Sequence, residues 1–160
     1  MIEPQAMGLA ATSYGFTPDE LADAARKMST ANPVEVQPLQ RGGSGWDVEI
    51  LLQGSYAVLL ALGPNLAASA IWDGLKLLLV NFRRKHGESR PEPLVTFKIN
   101  ETNDGGRSVE AFVRTDDPEY LRRAMTGLTE AVSATFDRSE EEWTYVVYEE
   151  EKGGWTPAEE

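Results

Sequence analysis

The sequence predicts an α+β domain of ferredoxin-like topology, a βαββαβ antiparallel sheet with both helices on one face. Three observations carry this. Runs that alternate apolar and polar residues, WDVEILL, LVTFKIN, SVEAFVRT and WTYVVYE, have the period of half-buried strands. Two longer segments, Pro64–Lys85 and Pro118–Phe136, repeat apolar residues at helical spacing. From Trp46 onward these elements follow one another as strand, helix, strand, strand, helix, strand, the order of the split βαβ arrangement. An N-terminal helix and an edge strand are additions to that plan.

In chain order, residues 1–15 lack periodicity and read as a flexible arm. One domain spans 16–149, with its core in 46–149, and an acidic tail at 150–160 reads as disordered. The first helix starts at FTPDEL. Thr17 fits the N-cap, Pro18 the first helical position and Glu20 the third residue of a capping box, with Phe16 and Leu21 placed as a hydrophobic staple. Leu21, Ala24, Ala25 and Met28 form its apolar side, and Asn32-Pro33 ends it. PVEVQPL is a short strand that Pro38 confines to an edge. ETNDGGR joins the two middle strands as a hairpin. Asp117 caps the second long helix, with Pro118 after it, and Leu121, Met125, Leu128, Val132 and Phe136 form a narrow apolar stripe.

The stretch Ile50–Trp72 carries no charge, and its apolar character continues to Phe82, which raises a membrane span as one reading. Gly63-Pro64 interrupts it, and Asp73 and Lys76 sit in its second half, each costing about 2.5–3.5 kcal/mol at a bilayer centre. Asn65, Ser69, Asp73 and Lys76 fall on one side of a helix. Arg83–His86 followed by Gly87 is the end of a helix in water, where cations oppose the dipole and glycine takes a left-handed cap. The expectation is a buried helix, with anchoring through residues 56–82 kept as an alternative. Its apolar arc is wide: Ile71, Leu75, Leu78 and Phe82 at the centre, Trp72 and Leu79 on one flank. Either the N-terminal helix covers the outer flank, or a partner or second copy does. Trp72, Leu75 and Leu79 are accordingly candidate contact residues, and the sequence leaves both covers open.

Composition bounds function further. The chain has 160 residues, 26 acidic against 15 basic, and a net charge of -11, a field that opposes nucleic acid and anionic membranes. It has no cysteine, which excludes disulfides, thiolate metal sites and cysteine nucleophiles. MIEPQAMGLAATSYGF has neither the basic start nor the long apolar core of a secretory leader, so a cytoplasmic location is expected. His86 is the one histidine and lies in the basic helix terminus. Gly42-Gly43-Ser44-Gly45 precedes a strand, whereas a nucleophile elbow follows one, and no phosphate-loop lysine accompanies it. The loop from Asn100 lacks the twelfth-position glutamate of a calcium site. No catalytic residue, metal ligand or cofactor is expected, and the protein reads as a non-enzyme. Phe112 matches one stacking position of RNA-recognition strands, but Asp47 and Glu49 on the first strand oppose RNA. Gly54 resembles the ligand-loop glycine of ACT-type amino-acid sensors, which makes a small-molecule sensor the other alternative. Phe112, Tyr148 and Trp155 join the candidate partner-binding residues; a tail tryptophan can anchor a short peptide in a groove.

A strand, the helix LAASAIWDGLKLLLVNFRRK, the hairpin VTFKINETNDGGRSVEAF and then DDPEYLRRAM together resemble the effector-associated constant components of actinobacterial conflict systems, over about residues 46–132. The likeness is one of layout. It implies a non-catalytic adaptor or regulator that accompanies an effector and binds protein, and it transfers no catalytic residues. The last strand and the tail depart from that pattern.

Overall fold

The computed structural model describes residues 7–12, 15–29, 33–38, 48–62, 69–87, 92–102 and 105–158. The elements are β1 (Met7–Ala11), α1 (Pro18–Met28), β2 (Val34–Val36), β3 (Glu49–Ser55), α2 (Tyr56–Ala61), α3 (Ala70–His86), β4 (Leu94–Thr102), β5 (Gly105–Arg114), α4 (Pro118–Thr126), α5 (Leu128–Arg138), β6 (Trp143–Glu149) and β7 (Gly154–Pro157), with a 3-10 turn at Glu150–Lys152. Among the described residues the strands form one mixed sheet in the order β2-β1-β3-β4-β5-β6-β7. The pairs β1/β2, β3/β4 and β5/β6 are parallel and joined through helices; β1/β3, β4/β5 and β6/β7 are antiparallel.

The α+β class is the expected one, but the sheet differs from a ferredoxin-like sheet in how its strands pair. A split βαβ unit keeps its two strands apart; here β3 and β4 are neighbours from Glu49↔Leu94 to Ser55↔Asn100, and β5 and β6 likewise. Local element order is the same in both arrangements, so alternation along the chain does not distinguish them. The β3/β4 and β5/β6 crossovers step across the sheet in one direction along oppositely directed strands. With their helices in one layer, the two crossovers have opposite hand.

Two terminal expectations also change. The arm contributes β1, all five of whose residues are buried between β2 and β3. MGLAA shows no alternation because both of its faces are covered: an added Cβ on Gly8 would lie 2.3 Å from Gln37 Oε1. The tail contributes β7, an edge strand paired with β6 from Val146↔Pro157 to Glu149↔Gly154. The expected strand start at Trp46 and the turn Gly42–Gly45 lie outside the described residues.

Local signals predicted the helices well. Thr17 Oγ1 accepts the Glu20 N–H at 3.1 Å, and Glu20 Oε1 accepts the Thr17 N–H at 2.9 Å, completing the capping box. Asp117 accepts the Glu119 N–H at the head of α4. The long apolar stretch divides into α2, capped by Ser55, and α3, which closes at Gly87 (φ 67°). No described helix is long and apolar enough to cross a membrane. The expected Pro118–Phe136 helix is interrupted at Gly127 and continues as α5.

One core joins everything. Leu9 pairs with Leu52, Leu52 with Phe97, Phe97 with Ala111 and Ala111 with Val146, so one face of the sheet is a continuous apolar row. Ile71, Leu75, Leu78, Leu79 and Phe82 of α3 are buried over it, as are Leu121, Met125, Val132 and Phe136. Helix α1 packs against α3 at Gly74, where an added Cβ would meet Met28 Cγ at 2.4 Å and the Ala24 carbonyl at 2.7 Å. Arg107 holds the end of α5, donating to the Phe136 carbonyl at 2.7 Å and to Glu101 Oε2 through Nε at 3.0 Å.

Candidate functional site

The second face of the sheet carries the alternate residues of every strand, and no described helix lies over it. Register sets its rows. Ser55, Asn100, Ser108 and Trp143 form one, Gln53, Lys98, Glu110 and Tyr145 the next, and Leu51, Thr96, Phe112 and Val147 a third. Small residues here are shielded by longer neighbours. Thr96 is fully buried and donates to Glu49 Oε2 at 2.8 Å; Ser108 Oγ donates to Asn100 Oδ1 at 2.9 Å. Glu49 and Glu110 are buried and neither is without a partner, so this part of the face is polar and shielded from solvent.

Toward β6 the character changes. Trp143 and Tyr145 are 44% and 42% exposed, the largest exposed aromatics among the described residues. Phe112 lies beside Tyr145 with ring centroids 5.9 Å apart and planes inclined by 18°. Lys98 Nζ stands 5.0 Å from the Trp143 ring centroid, within cation–π range. The result is an exposed aromatic ridge against which one ammonium, that of Lys98, is seated.

Both edges of the sheet are poor sites for adding a strand. At β2 the Val34 N–H donates to Ser29 Oγ at 3.0 Å, and Pro33 and Pro38 flank a three-residue strand. At β7 the strand has four residues and ends in Pro157.

The residues singled out by sequence fall in three places. Phe112 is on the open face, half-buried. Tyr148 and Trp155 are half-buried on the covered face: their rings meet edge-on at 5.3 Å, Tyr120 packs on Tyr148 at 5.4 Å, and Trp155 Nε1–H donates to the Ala124 carbonyl at 2.8 Å. Trp155 thus latches β7 to α4. Burial, with Glu150 nearby, pushes the Tyr148 hydroxyl above its ordinary range. On α3, Leu75 and Leu79 have no exposed surface and offer nothing to a partner, while Trp72 is half-buried against the core. Helix α1 packs on the side of α3 that carries Gly74 and Lys85, and Leu75 and Leu79 are buried within the chain itself. Gly54 is not in a loop: it lies inside β3, and Met7 fills the space where its Cβ would stand, at 3.1 Å.

A separate cleft of about 820 Å³ opens between α1 and β2; Phe16, Leu21 and Val36 are among its apolar lining, and Thr12, Thr17 and Gln37 are its polar members. Among the described residues no His, Asp and Glu side chains converge to hold a metal ion. His86 packs its ring on Phe82 at 4.7 Å.

Trp143 and Tyr145 were not among the residues singled out. WTYVVYE reads as a strand, but which of its alternating sets faces outward depends on where the helices sit. The one usable signal was size: Thr144 and Val146 suit a packed face better than Trp143 and Tyr145. Compared with known proteins, the chain matches no family model, no curated sequence and no solved structure.

Proposed function

We propose that this chain is a non-enzymatic protein-interaction module, an adaptor or regulator, whose docking surface is the open sheet face around Trp143, Tyr145 and Phe112. One observation carries the reading: two large aromatics are exposed, one of them with its ring alongside that of Phe112, on a face that no described helix covers. Rigid aromatic side chains supply contact area at low entropic cost and dominate interface energetics. The net charge favours protein over nucleic acid as the partner. Accompaniment of an effector in a bacterial conflict system belongs to the same proposal and rests on the layout of residues 46–132.

The test is photo-crosslinking in the host cell. A benzophenone side chain at Tyr145 should give discrete protein adducts, and the same group at exposed Glu130 on α5 should not. Trp143→Ala/Tyr145→Ala should remove co-purifying protein while the melting temperature holds. Equal adducts at both positions, or none at Tyr145, would discard the surface.

A ligand-sensing role has one observation of its own, the cleft between α1 and β2, which is within the size range of small-molecule sites. A compound that raises the melting temperature of the native chain, but not of a Val36→Trp variant, would support it.

A further inference from the structure

Strand β6 is bracketed by glutamate: Glu140–Glu142 lie before Trp143, and Glu149–Glu151 close the strand. Glu150 is tied to Arg123, and Glu149 lies 3.7 Å from Lys152. Glu141, Glu142 and Glu151 are exposed and enter no ion pair among the described residues. Between the two acidic ends stand Trp143 and Tyr145, and the Trp143 indole already holds one cation of its own chain, the Lys98 ammonium at 5.0 Å. Acid at both ends with two exposed aromatic rings between them is complementary to one kind of occupant.

We infer that the docking partner is a basic protein segment, rich in arginine or lysine, that lies extended along β6. This inference rests on the reading of the sheet face as a protein-docking surface. A seven-residue strand is about 20 Å long at roughly 3.3 Å per residue, so an extended segment of similar length reaches both glutamate runs. Its cations pair with Glu141 and Glu142 at one end and with Glu151 at the other. Its central side chains stack on Trp143 and Tyr145, where guanidinium groups gain from the ring quadrupole. The charge match also sets selectivity: acidic segments and nucleic acid meet like charge at both ends. β6 pairs with β5 from Trp143 to Val147 and with β7 from Val146 to Glu149, and contact across its open face is through side chains.

The experiment is an NMR titration of the full chain with two synthetic ten-residue peptides of equal apolar content, one bearing four arginines and the other four glutamates. The arginine peptide should shift the Trp143 indole N–H and the amides of β6, and its affinity should fall as ionic strength rises. Glu141→Gln/Glu142→Gln/Glu151→Gln should weaken it roughly tenfold, and Trp143→Ala/Tyr145→Ala should abolish the shifts, with melting temperatures retained in both. Equal binding of the acidic peptide, shifts mapping to the helical layer, or no binding at millimolar peptide would overturn the inference. If crosslinks at Tyr145 persist while the arginine peptide fails, the surface stands and its chemistry is wrong. If both fail, the docking surface falls too.

Discussion

The two faces of the sheet are made from the same strands by different rules. On the covered face, Leu9, Leu52, Phe97, Ala111 and Val146 sit in register beneath the helices, each 2% exposed or less. On the other face, Gln53, Lys98, Glu110 and Tyr145 occupy a single row of the same ladder. One face gains stability from removing aliphatic area from water. The other holds a buried, hydrogen-bonded polar set, Thr96, Glu49, Ser108 and Glu110, and beside it the exposed rings of Trp143 and Tyr145. The difference teaches where to look for function: on the exposed aromatics, the part of that face which neither the core nor the polar set uses.

The sharpest way to break this comparison is to remove a large side chain from the covered face. Phe97→Ala should cost about 3–5 kcal/mol, as large-to-small substitutions in a closed core do, read as a lowered midpoint in urea denaturation. An unchanged midpoint would mean that the helical layer is not packed as described. Gly74→Ala comes next. Its Cβ would collide with the backbone carbonyl of Ala24 as well as with Met28, and a carbonyl in a helix has no rotamer to yield. The expected loss is about 1–3 kcal/mol, although alanine is the better helix former.

What could be read from the sequence follows the range of the interactions involved. Thr17/Glu20, Asp117/Pro118 and Gly87 act within a turn of themselves, so their roles are visible in a short window. The β4/β5 hairpin is equally local. Pairing order is not. Whether β4 lies beside β3 or across from it depends on contacts tens of residues apart, and β1 gave no signal because its glycine and alanines satisfy two buried faces at once. Trp155 is legible only as an aromatic in an acidic tail until Ala124, far back in the chain, supplies its acceptor. The candidate site was half legible. Strand alternation placed Phe112 on a defined face, but choosing the exposed set of β6 needed the position of the helices.

A smaller effect tests the covered side through its rim. Burial pushes the Glu20 carboxyl up, but hydrogen bonds from Lys85 and the Thr17 N–H, with the charge of Lys85, outweigh it and hold the group below its ordinary value. A depressed folded-state pKa means stability that is fully present above the ordinary carboxylate range and is lost as pH falls through the folded value. Glu20→Gln keeps a capping-box acceptor but loses the charge beside Lys85, so it should cost up to about 1 kcal/mol at pH 7. The gap from the native chain should close in acid. A gap that stays constant with pH would sever Glu20 from the α1–α3 clamp.

The smallest expected effect is on the open face, and it is the decisive one for the comparison. Trp143→Ala deletes the largest exposed side chain of β6 and the ring beneath Lys98, yet leaves the pairing of β6 with β5 and β7 unchanged. Stability should stay within about 0.5 kcal/mol of the native chain, as for most surface substitutions. Tryptophan is bulky and apolar, and an exposed one that folding does not use is retained at a cost in solubility. A loss as large as that of Phe97→Ala would make Trp143 part of the core and remove the reason for reading its face as a docking surface. A negligible loss in urea, together with loss of the Tyr145 crosslink, would separate folding from function across the thickness of a single sheet.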